Sequence, residues 1–491
     1  MKKTDVIKTW NYLKRNGIKN AVYAVRERLY VQYNADYRYE NPSAAELQRQ
    51  RENLSWKENA PKISIVVPVY ETAPVYLRAL LDSVCAQTYT GWELILADAG
   101  STDQVRKTIQ EYQRQNPKVA LEIRTGNRGD HFENQKILYF RLDKNEGISG
   151  NTNAALKMVS GDYVGLLDHD DFLTPDALYW MADELKEAKK EGIDPVFVYS
   201  DEDKYEEGTK KYHSPNRKDD FNLDLLLSNN YICHFLVMKK SMMMKRRLRP
   251  EYDGAQDYDL LLRTVHAAIV ENESSMHPAW DIAATAEKEI AENWKQIFRH
   301  VPRVLYHWRC HSNSTAENPG SKSYAYEAGR RALQDYLKYS GLTGEAASTK
   351  HLGFYKVRYQ PDLFHVRPEI GACGGSVYNI EHKITSGMIE PDGQCPFENM
   401  PVYFAGPCNR ASVMQDAYAL DARTVFLRQE LIPFYQQYIK LPYPESVRDR
   451  NRNFSNRLDD RIWRQRSIAL SCRLREEGYL LLWNPDIQIP E

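Results

Sequence analysis

The amino-acid sequence predicts an α/β protein with a doubly wound, mostly parallel sheet flanked by helices. Between residues 61 and 171, apolar runs typical of buried strands alternate with segments of helical spacing. Two of these runs end in an aspartate, at Asp98 and Asp168. Because the carboxyl ends of parallel strands share one edge of a sheet, and ligands bind outside that edge, both aspartates are candidates for a binding site.

Composition limits the class of protein. The chain has 491 residues, enough for several domains, and a formal net charge of -1, which gives no general argument for nucleic-acid binding. Its 7 cysteines include no C-x-x-C pair, so we expect a reducing compartment without zinc sites or a disulfide framework. No apolar run is long enough to span a membrane, and no apolar signal core follows Met1. We therefore expect a soluble, cytoplasmic protein.

Three regions are predicted along the chain, at residues 1–60, 61–342 and 343–491. The first holds basic amphipathic helices and a polar connector, the second the α/β domain, and the third weakly periodic sequence rich in Gly, Pro and Asn. A basic amphipathic helix with an interfacial Trp10 can lie on an anionic membrane leaflet. The alternative is a helix docked on the main domain with its charges in solvent, and the sequence leaves both interpretations open.

The predicted elements of the α/β domain follow one another with short connections. They are a strand at Ile63–Tyr70, a helix at 76–85, a strand at Trp92–Asp98, a helix at 103–115, a strand at 137–142, a helix at 149–159 and a strand at Tyr163–Leu167. A mixed segment follows, from Val196 to about Ser340. Strands that alternate with helices are joined by crossover connections, which makes them parallel.

The last of these strands runs into three carboxylates, Asp168, Asp170 and Asp171, with only His169 between them. Adjacent carboxylates repel one another, so the cluster needs a divalent cation or hydrogen-bond donors to compensate its charge. An Asp-x-Asp arrangement of oxygen ligands suits Mg²⁺ or Mn²⁺ shared with a substrate diphosphate. The alternative is a solvated acidic turn that caps the helix starting near Pro175, because the first turn of a helix favours aspartate.

Polar residues at three further element ends are candidates for ligand binding. Asp98 can accept a hydrogen bond from a nucleotide base, while its neighbour Ser101 or Asp103 caps the next helix. The polar turn Asn145–Asn153 leads into a helix, and its free N–H groups could hold a ribose or phosphate. The segment Tyr306–Ser314 ends an apolar strand and supplies imidazole for a metal and guanidinium for phosphates.

Asp257 precedes the apolar run Leu260–Leu262 at the start of a predicted helix. A carboxylate at the start of a helix beside a cleft can accept the proton of an attacking hydroxyl, whereas the alternative role is a simple N-terminal cap. The acidic triplet Asp201–Asp203 follows an apolar run that starts at Val196, so it too is expected near the pocket.

Ten segments of the chain stand in the order of a known enzyme family. They are Ile63–Tyr70, Gln87–Tyr89, Trp92–Glu93, Asp98–Asp103, Asn145–Asn153, Leu167–Asp171, Tyr199–Lys204, Ser228–Ile232, Gln256–Arg263 and Tyr306–His311. Over about residues 40–340 the chain resembles a family 2 glycosyltransferase of the GT-A fold, in the bacterial branch that builds O-antigens, rhamnose-rich cell-wall polysaccharides and capsules. Glu71 stands where this family usually has Asn, and Ala99 where a second Asp is common.

The resemblance implies an inverting, metal-dependent transfer of a sugar from a nucleotide-diphosphate donor to a hydroxyl of a growing polysaccharide. Asp257 would be the catalytic base. The donor-binding candidates are Pro68, Tyr70, Glu71 and Asp98, which the resemblance implies, together with Asn145, Gly147, Asn151, Asp168 and Arg309 from the polar segments described above. The implied metal ligands are Asp168, Asp170 and His311, for Mn²⁺ or Mg²⁺. The acceptor or pocket candidates are Asp201, Glu202, Asp203, His234 and Trp308.

The partners implied by the resemblance are a UDP- or dTDP-sugar and a glycan acceptor that is lipid-linked. Such an acceptor would bring the enzyme to the inner face of the cell membrane as a peripheral protein, with contact through the N-terminal helices. No nucleic acid is expected.

Residues 343–491 resemble the later half of a second GT-A-like domain. The segment Gln256–Arg263 is echoed near the C-terminus by Arg466–Arg473, in which Ser467 and Ala469 replace both carboxylates. The region lacks the strand–Asp half that binds the nucleotide. We therefore expect it to be partial, degenerate and non-catalytic.

Two other functions stay open at this point. A sugar nucleotidyltransferase also uses an α/β sheet, a nucleotide and Mg²⁺, but it needs a Gly-rich basic loop where Val69–Thr72 stands. A non-catalytic glycan-binding or scaffold subunit of a polysaccharide assembly complex predicts losses at the acidic sites, yet the acids of the first domain are all present. Residues 271–295 look like an insertion, either a lid, an acceptor wall or a surface helix.

Overall fold

A computed structural model of the protein describes residues 3–34, 37–53, 60–125, 136–276, 294–311, 323–444 and 459–491. Most of the insertion expected at about residues 271–295 lies outside these ranges. No helix in the described part of the chain is both long and apolar enough to cross a bilayer.

Among the described residues of the α/β domain, ten strands form one central sheet. In chain order the strands are β1 (Ile63–Val69), β2 (Trp92–Asp98), β3 (Leu121–Thr125), β4 (Ile137–Arg141), β5 (Tyr163–Leu166), β6 (Phe172–Leu173), β7 (Phe197–Glu206), β8 (Lys211–Asn216), β9 (Leu236–Lys239) and β10 (Phe298–Cys310). Across the sheet the order is β3–β4–β2–β1–β5–β9–β7–β10–β6, with β8 beside β7. The strands from β3 to β5 are all parallel, whereas β9 runs antiparallel to both neighbours. The predicted mostly parallel sheet is confirmed.

Helices cover both faces of this sheet because apolar side chains on each strand alternate between the faces. The helices of residues 3–339 are α1 (Lys3–Asn34) and α2 (Ala44–Glu52), which precede the domain, and then α3 (Pro74–Cys85), α4 (Gln104–Gln115), α5 (Gly147–Leu156), α6 (Ala177–Lys190), α7 (Leu223–Leu226), α8 (Lys240–Arg246), α9 (Gln256–Met276) and α10 (Ser323–Tyr339). On β1, Ile65 and Val67 pack against α3, α4 and α6, while Val66 between them packs on the side of α5, α8 and α9. The sheet is therefore buried on both faces, which explains its continuous apolar strands.

The strand order fixes the place of the ligand site. The chain runs from β1 outward through β2 to β4 and then returns to place β5 on the other side of β1. At such a reversal a crevice opens outside the carboxyl ends of the strands. Glu71 follows β1, Asp98 ends β2 and Asp168 follows β5, so all three lie at this edge of the sheet.

The C-terminal region has its own smaller sheet. Its elements are β11 (Gly344–Ser348), β12 (Tyr355–Tyr359), α11 (Leu363–Val366), β13 (Ile370–Tyr378), β14 (Ile384–Ser386), β15 (Met388–Ile389), β16 (Gln415–Asp416), β17 (Ala419–Leu420), β18 (Phe426–Leu427), α12 (Ile432–Ile439), α13 (Asp460–Glu476) and β19 (Leu480–Pro490). Strand β13 pairs antiparallel with β14 and β18 and parallel with β19, which follows α13. Strand β7 likewise pairs antiparallel with β8 and β9 and parallel with β10, which follows α9. The same succession of pairings thus occurs twice in the chain.

The hairpin of β11 and β12 packs with the α/β domain. Its side chains Ala346, Tyr355 and Val357 belong to the same apolar core as α9 and α10. The domain boundary expected between residues 342 and 343 thus precedes a hairpin whose apolar side chains complete the first core.

Buried polar contacts tie the two regions together. The side chain of Asn222 accepts the N–H of Asp416 at 3.0 Å and donates to its carbonyl oxygen at 3.0 Å. The guanidinium of Arg367, which is 1% exposed, donates to both carboxylate oxygens of Asp224, at 2.9 and 3.2 Å. A buried pair of this kind is strongly destabilising when only one of its partners is removed.

Replacing Arg367 by methionine is expected to lower the free energy of unfolding by about 3 kcal/mol, because the Asp224 carboxylate stays buried without its counter-charge. Urea denaturation at neutral pH measures this change. The control is the exposed Arg358→Met on β12, expected to stay within about 0.5 kcal/mol of the unmodified protein. Equal stability of the two variants would show that the buried pair contributes no more than a surface arginine.

Candidate active site

The structure divides the acidic cluster after β5 into two groups. A hydrogen bond of 2.8 Å joins Oδ2 of Asp170 to Nε2 of His311, which follows β10. In the second group, one ligand atom from each of Asp168, Asp171 and His234 lies within 4.8 Å of the others. The structure therefore brings Asp170 and His311 together as expected, and places Asp168 next to His234, which the sequence had indicated only as a pocket residue.

Hydrogen bonding decides which of these carboxylates faces outward. Asp171 is fully buried, and its two oxygens accept the hydroxyl of Tyr306 at 2.5 Å and the N–H of Arg309 at 2.7 Å. Burial, and then repulsion from Asp170 and Asp168, raises the pKa of Asp171 well above its ordinary value. Asp171 thus holds β10 against the end of β5. The side chain of Asp168, by contrast, is 44% exposed.

The environment of Asp170 favours its charged form. Burial opposes ionisation, but the hydrogen bond to His311, together with the charge of His169, outweighs it and holds the pKa of Asp170 below its ordinary value. An ionised carboxylate offers the oxygen ligand that Mn²⁺ and Mg²⁺ prefer, and the imidazole nitrogen beside it is a ligand for a transition-metal ion such as Mn²⁺. The residues present at this strand end therefore fit a divalent cation.

Asp257 lies in the first turn of α9 and shares the electrostatic environment of Asp168 and His234. Its Oδ2 accepts a hydrogen bond of 2.9 Å from the side-chain amide of Asn230. Burial and the negative charge of Asp168 raise the pKa of Asp257, although the nearby His234 acts in the opposite direction. A carboxylate with a raised pKa, next to a cluster of metal-type ligands, is suited to accept a proton.

The second acid of the same helix turn has a different role. Asp259 is 1% exposed and accepts hydrogen bonds from Arg249 at 3.1 Å and from Arg263 at 2.7 Å. Arg249 precedes α9 in the chain, whereas Arg263 lies on α9 itself, four residues after Asp259. Asp259 thus anchors the helix, while Asp257 two residues earlier is left to face the pocket.

A buried lysine shapes the wall that carries His234. The ammonium group of Lys218 donates to the carbonyl oxygens of Ser200 at 2.7 Å, Ile232 at 2.6 Å and His234. The imidazole of His234 stacks on Tyr306, with ring centroids 4.6 Å apart and an interplanar angle of 8°. Neither Lys218 nor Asn230 was predicted as a site residue, because each acts through contacts that join segments distant in sequence.

The predicted pocket acids Asp201, Glu202 and Asp203 point in different directions. Asp201 accepts the N–H of Lys218 and Asp203 accepts the hydroxyl of Tyr37, and both acids also pair with histidines of β10. Both acids are buried, so their role is structural. Glu202 alone of the three reaches the pocket wall, where it accepts the N–H of His234 at 3.1 Å.

Two residues at the end of β10, Arg309 and Trp308, are predicted from the sequence to bind ligands. The guanidinium of Arg309 donates to the carbonyl oxygen of Asp170 at 2.7 Å and to the carboxylate of Glu207, and only 4% of Arg309 is exposed. The positive charge of Arg309 is therefore already paired within the protein and is not directed at a ligand. The neighbouring Trp308 lies under the ammonium group of Lys204 and edge-on to His234, so it remains beside the pocket.

The part of the site that is predicted to bind the nucleotide is a network of hydrogen bonds around the turn after β2. Asp98 is fully buried and accepts the hydroxyl of Tyr139 at 2.7 Å and the N–H of Gly100 at 2.8 Å. Glu71 accepts both the N–H and the hydroxyl of Ser101 at 2.7 Å, and these bonds lower the pKa of Glu71. These hydrogen bonds thus join the turn that follows β1 to the turn that follows β2.

Next to Glu71, half of Tyr70 is exposed, and Pro68 lies one residue before the end of β1. The exposed ring offers the apolar surface on which a nucleotide base can stack. Both predicted donor-binding residues therefore lie at the crevice, and their contact with a nucleotide stays a prediction.

The turn that begins α5 satisfies its own polar groups. The side chain of Asn145 accepts from the N–H of Gly147 at 3.0 Å and from the side-chain amide of Asn151 at 2.9 Å. The carboxylate of Asp253 accepts the N–H of Ser149 at 3.3 Å, which caps the helix. This negative charge at the start of α5 opposes an anion there, so donor binding by Asn145, Gly147 and Asn151 stays a prediction.

A family model decides the class of the domain that carries this site. The model described as "Glycosyl transferase family 2" matches residues 64–247. These residues form a family 2 glycosyltransferase domain. The glycosyltransferase match includes Asp98, Asp168, Asp170 and His234, whereas Asp257 and His311 follow it in the chain.

Curated proteins are similar to this chain over 40–61% of its length. An uncharacterized protein y4gI of Sinorhizobium fredii is 34% identical over 282 residues, 57% of this chain and 26% of its own length. The O-antigen biosynthesis protein RfbC of Myxococcus xanthus is 29% identical over 302 residues, 61% of this chain and 20% of its own length. The GalNAc(5)-diNAcBac-PP-undecaprenol beta-1,3-glucosyltransferase of Campylobacter jejuni is 27% identical over 199 residues, 40% of this chain and 57% of its own length. The chain thus spans about a quarter or less of the length of the first two relatives.

Proposed function

We propose that the protein is an inverting, metal-dependent glycosyltransferase that moves a sugar from a nucleotide-diphosphate donor to a hydroxyl of a growing polysaccharide. The observation that carries this proposal is the grouping of Asp168, His234 and Asp257 at the carboxyl edge of the sheet in a family 2 domain. The donor is a UDP- or dTDP-sugar. Asp168, Asp170 and His311 would hold the cation, Mn²⁺ or Mg²⁺, with His234 beside Asp168.

In this mechanism Asp257 accepts the proton of the acceptor hydroxyl. The acceptor oxygen forms a bond to the anomeric carbon on the face opposite the diphosphate, the bond from that carbon to the diphosphate breaks, and the nucleoside diphosphate leaves. A single displacement of this kind inverts the anomeric configuration. When bound, the cation supplies charge neutralisation at the departing diphosphate. Asn230 orients the Asp257 carboxylate through the 2.9 Å hydrogen bond.

The acceptor is proposed to be lipid-linked, with the enzyme working at the cytoplasmic face of the membrane. Support comes from the Campylobacter jejuni relative, whose name specifies a substrate carried on an undecaprenyl diphosphate. The Myxococcus xanthus relative is named for O-antigen biosynthesis. Both names refer to the assembly of a glycan.

The C-terminal region is proposed to be a partial, degenerate copy of the GT-A domain without catalytic function. Its strands repeat the pairings of β7 to β10. Ser467, at the position that corresponds to Asp257 in the sequence echo, is fully buried and accepts the N–H of Ala422 at 2.9 Å. A buried hydroxyl engaged in this way cannot act as a base toward a bound glycan.

The test is an activity screen of the full-length protein with a panel of nucleotide-diphosphate sugars. The expected result is release of the nucleoside diphosphate from one donor class, dependent on Mn²⁺ or Mg²⁺ and accelerated by a polyprenyl-diphosphate glycan. No release from any donor with either cation would contradict the proposal. Formation of pyrophosphate from a nucleoside triphosphate and a sugar 1-phosphate would assign the protein to the nucleotidyltransferases instead.

A further inference from the structure

The N-terminal helix α1 is bent at Gly17, and the part after the bend has two distinct faces. One face docks on the C-terminal region. The ring of Tyr23 stacks on Tyr403 with centroids 3.9 Å apart, and the carboxylate of Glu27 accepts the N–H groups of Ala405 at 2.7 Å and Gly406 at 2.8 Å. The helix is therefore docked through one of its faces, but these contacts are with the C-terminal region and not with the main domain that the docked interpretation names.

The opposite face carries four exposed aliphatic side chains, which we name the apolar stripe of α1. They are Ile18, Val22, Val25 and Leu29, with exposed fractions of 75%, 45%, 51% and 62%. At about 100° per residue, these four positions fall within an arc of about 60°. Because the helix is already docked through Tyr23 and Glu27, the apolar stripe faces away from the protein.

Basic residues flank the apolar stripe on both sides. Lys19 and Arg26 lie along one flank and Arg28 along the other, and all three are exposed. Between residues 10 and 29 the chain has five basic residues and one acid, Glu27, whose carboxylate faces the C-terminal region. An apolar stripe bordered by positive charge is complementary to a surface that is apolar inside and negatively charged outside.

We propose that the apolar stripe of α1 docks on an anionic lipid bilayer. Each aliphatic side chain enters the boundary between headgroups and acyl chains, while the flanking basic groups meet the negatively charged headgroups. Upstream of the bend, the exposed Trp10, with the ammonium group of Lys14 5.4 Å from its ring centroid, provides an interfacial anchor of the same kind. The biological use of this surface, delivery of a lipid-linked acceptor, rests on the proposed function.

Contacts on the docked side of α1 connect this helix to the proposed active site. The loop that Glu27 holds at Gly406 continues to Arg410. The guanidinium of Arg410 pairs with Asp219 and lies 5.8 Å from the ring centroid of Tyr231, the residue after Asn230. Since Asn230 donates to Asp257, one succession of contacts joins the membrane-docking helix to the proposed base.

The test is co-sedimentation of the full-length protein with mixed phosphatidylglycerol–phosphatidylcholine vesicles and with pure phosphatidylcholine vesicles. The protein is expected to bind the anionic vesicles at low salt and to bind the neutral ones weakly. The double variant Val22→Ser/Leu29→Ser should lower the partition coefficient by about tenfold or more, since aliphatic burial supplies much of the binding free energy. The double variant Arg26→Gln/Arg28→Gln should remove most of the preference for anionic vesicles.

The control exchanges exposed isoleucines outside α1, as Ile380→Ser/Ile462→Ser, and is expected to bind like the unmodified protein. Absence of vesicle binding, or unchanged binding of Val22→Ser/Leu29→Ser, would overturn the proposal. So would a dimer in light scattering that this variant dissociates, because the apolar stripe would then join two copies of the chain. Transfer to a water-soluble acceptor, unaffected by the stripe variant, tests the proposed function separately, so failure of either proposal can be recognised.

Discussion

Replacing Asp257 by asparagine is expected to lower the turnover number by about 10³-fold while donor binding is retained, because the amide cannot accept the proton of the acceptor hydroxyl. Asn230 can still hold the new side chain in place, since its partner atom Oδ remains an acceptor. Steady-state transfer at saturating donor measures the loss, and the affinity for the nucleoside diphosphate checks that the site is intact.

Although Asp257→Asn is expected to lower the turnover number, it should not lower the stability of the fold. Burial, the main cause, raises the pKa of Asp257, so the folded protein binds this proton more tightly than the unfolded chain. The ionised carboxylate therefore reduces stability as the pH rises above its ordinary pKa, and Asp257→Asn removes that penalty. We expect the melting temperature at neutral pH to stay the same or rise.

The matched control for Asp257 is Asp259→Asn, two residues along the same helix. It weakens the buried contacts with Arg249 and Arg263 and should lower the free energy of unfolding by about 3 kcal/mol. Its turnover number, measured on the folded fraction, should change far less than that of Asp257→Asn. Unchanged turnover in Asp257→Asn would mean that another residue is the base.

Asp170→Asn is expected to reduce transfer by about a thousandfold, equivalent to about 4 kcal/mol of transition-state stabilisation. The change removes a charged cation ligand and weakens the contact with His311. Transfer measured against Mn²⁺ concentration should show both a lower maximum and a higher requirement for the cation. The control, Asp392→Asn in the C-terminal region, changes an exposed acid outside the site and should transfer at the normal rate. Full transfer by Asp170→Asn in the presence of a chelator would remove the metal from the mechanism.

The fold was predicted well where the sequence signal is local. The apolar runs of β1, β2 and β5 end within one residue of the predicted limits, because strands buried on both faces show uninterrupted hydrophobicity. Strand β3 was missed, since its five residues alternate apolar and polar at the edge of the sheet and resemble a short surface segment.

The site was predicted only in part, because the direction of a side chain depends on distant partners. The strand-end aspartates share one edge, as expected from a parallel sheet. That Asp171 and Asp98 turn inward is decided by Tyr306, 135 residues away, and by Tyr139, 41 residues away. His234 reaches Asp168 from a loop held by Lys218, and no linear motif marks such a loop.

The C-terminal echo shows the reverse case, in which a weak sequence signal corresponds to a clear structural one. The similarity of Arg466–Arg473 to Gln256–Arg263 is short and lacks both carboxylates. The pairing of β13 with β14, β18 and β19 nevertheless follows that of β7 with β8, β9 and β10. Strand pairing depends on the apolar pattern, which the two segments share although Arg466–Arg473 has no carboxylate.

Calorimetric titration of UDP and of dTDP into the full-length protein, with and without Mn²⁺, tests the central claim most directly. The claim is that the carboxylates at the end of β5 bind a cation that holds the diphosphate of a nucleotide-sugar donor. Mn²⁺ is expected to strengthen binding of one nucleotide by at least about tenfold, and Asp170→Asn is expected to abolish that gain. Equal affinity with and without Mn²⁺, or a full gain in Asp170→Asn, would contradict the claim.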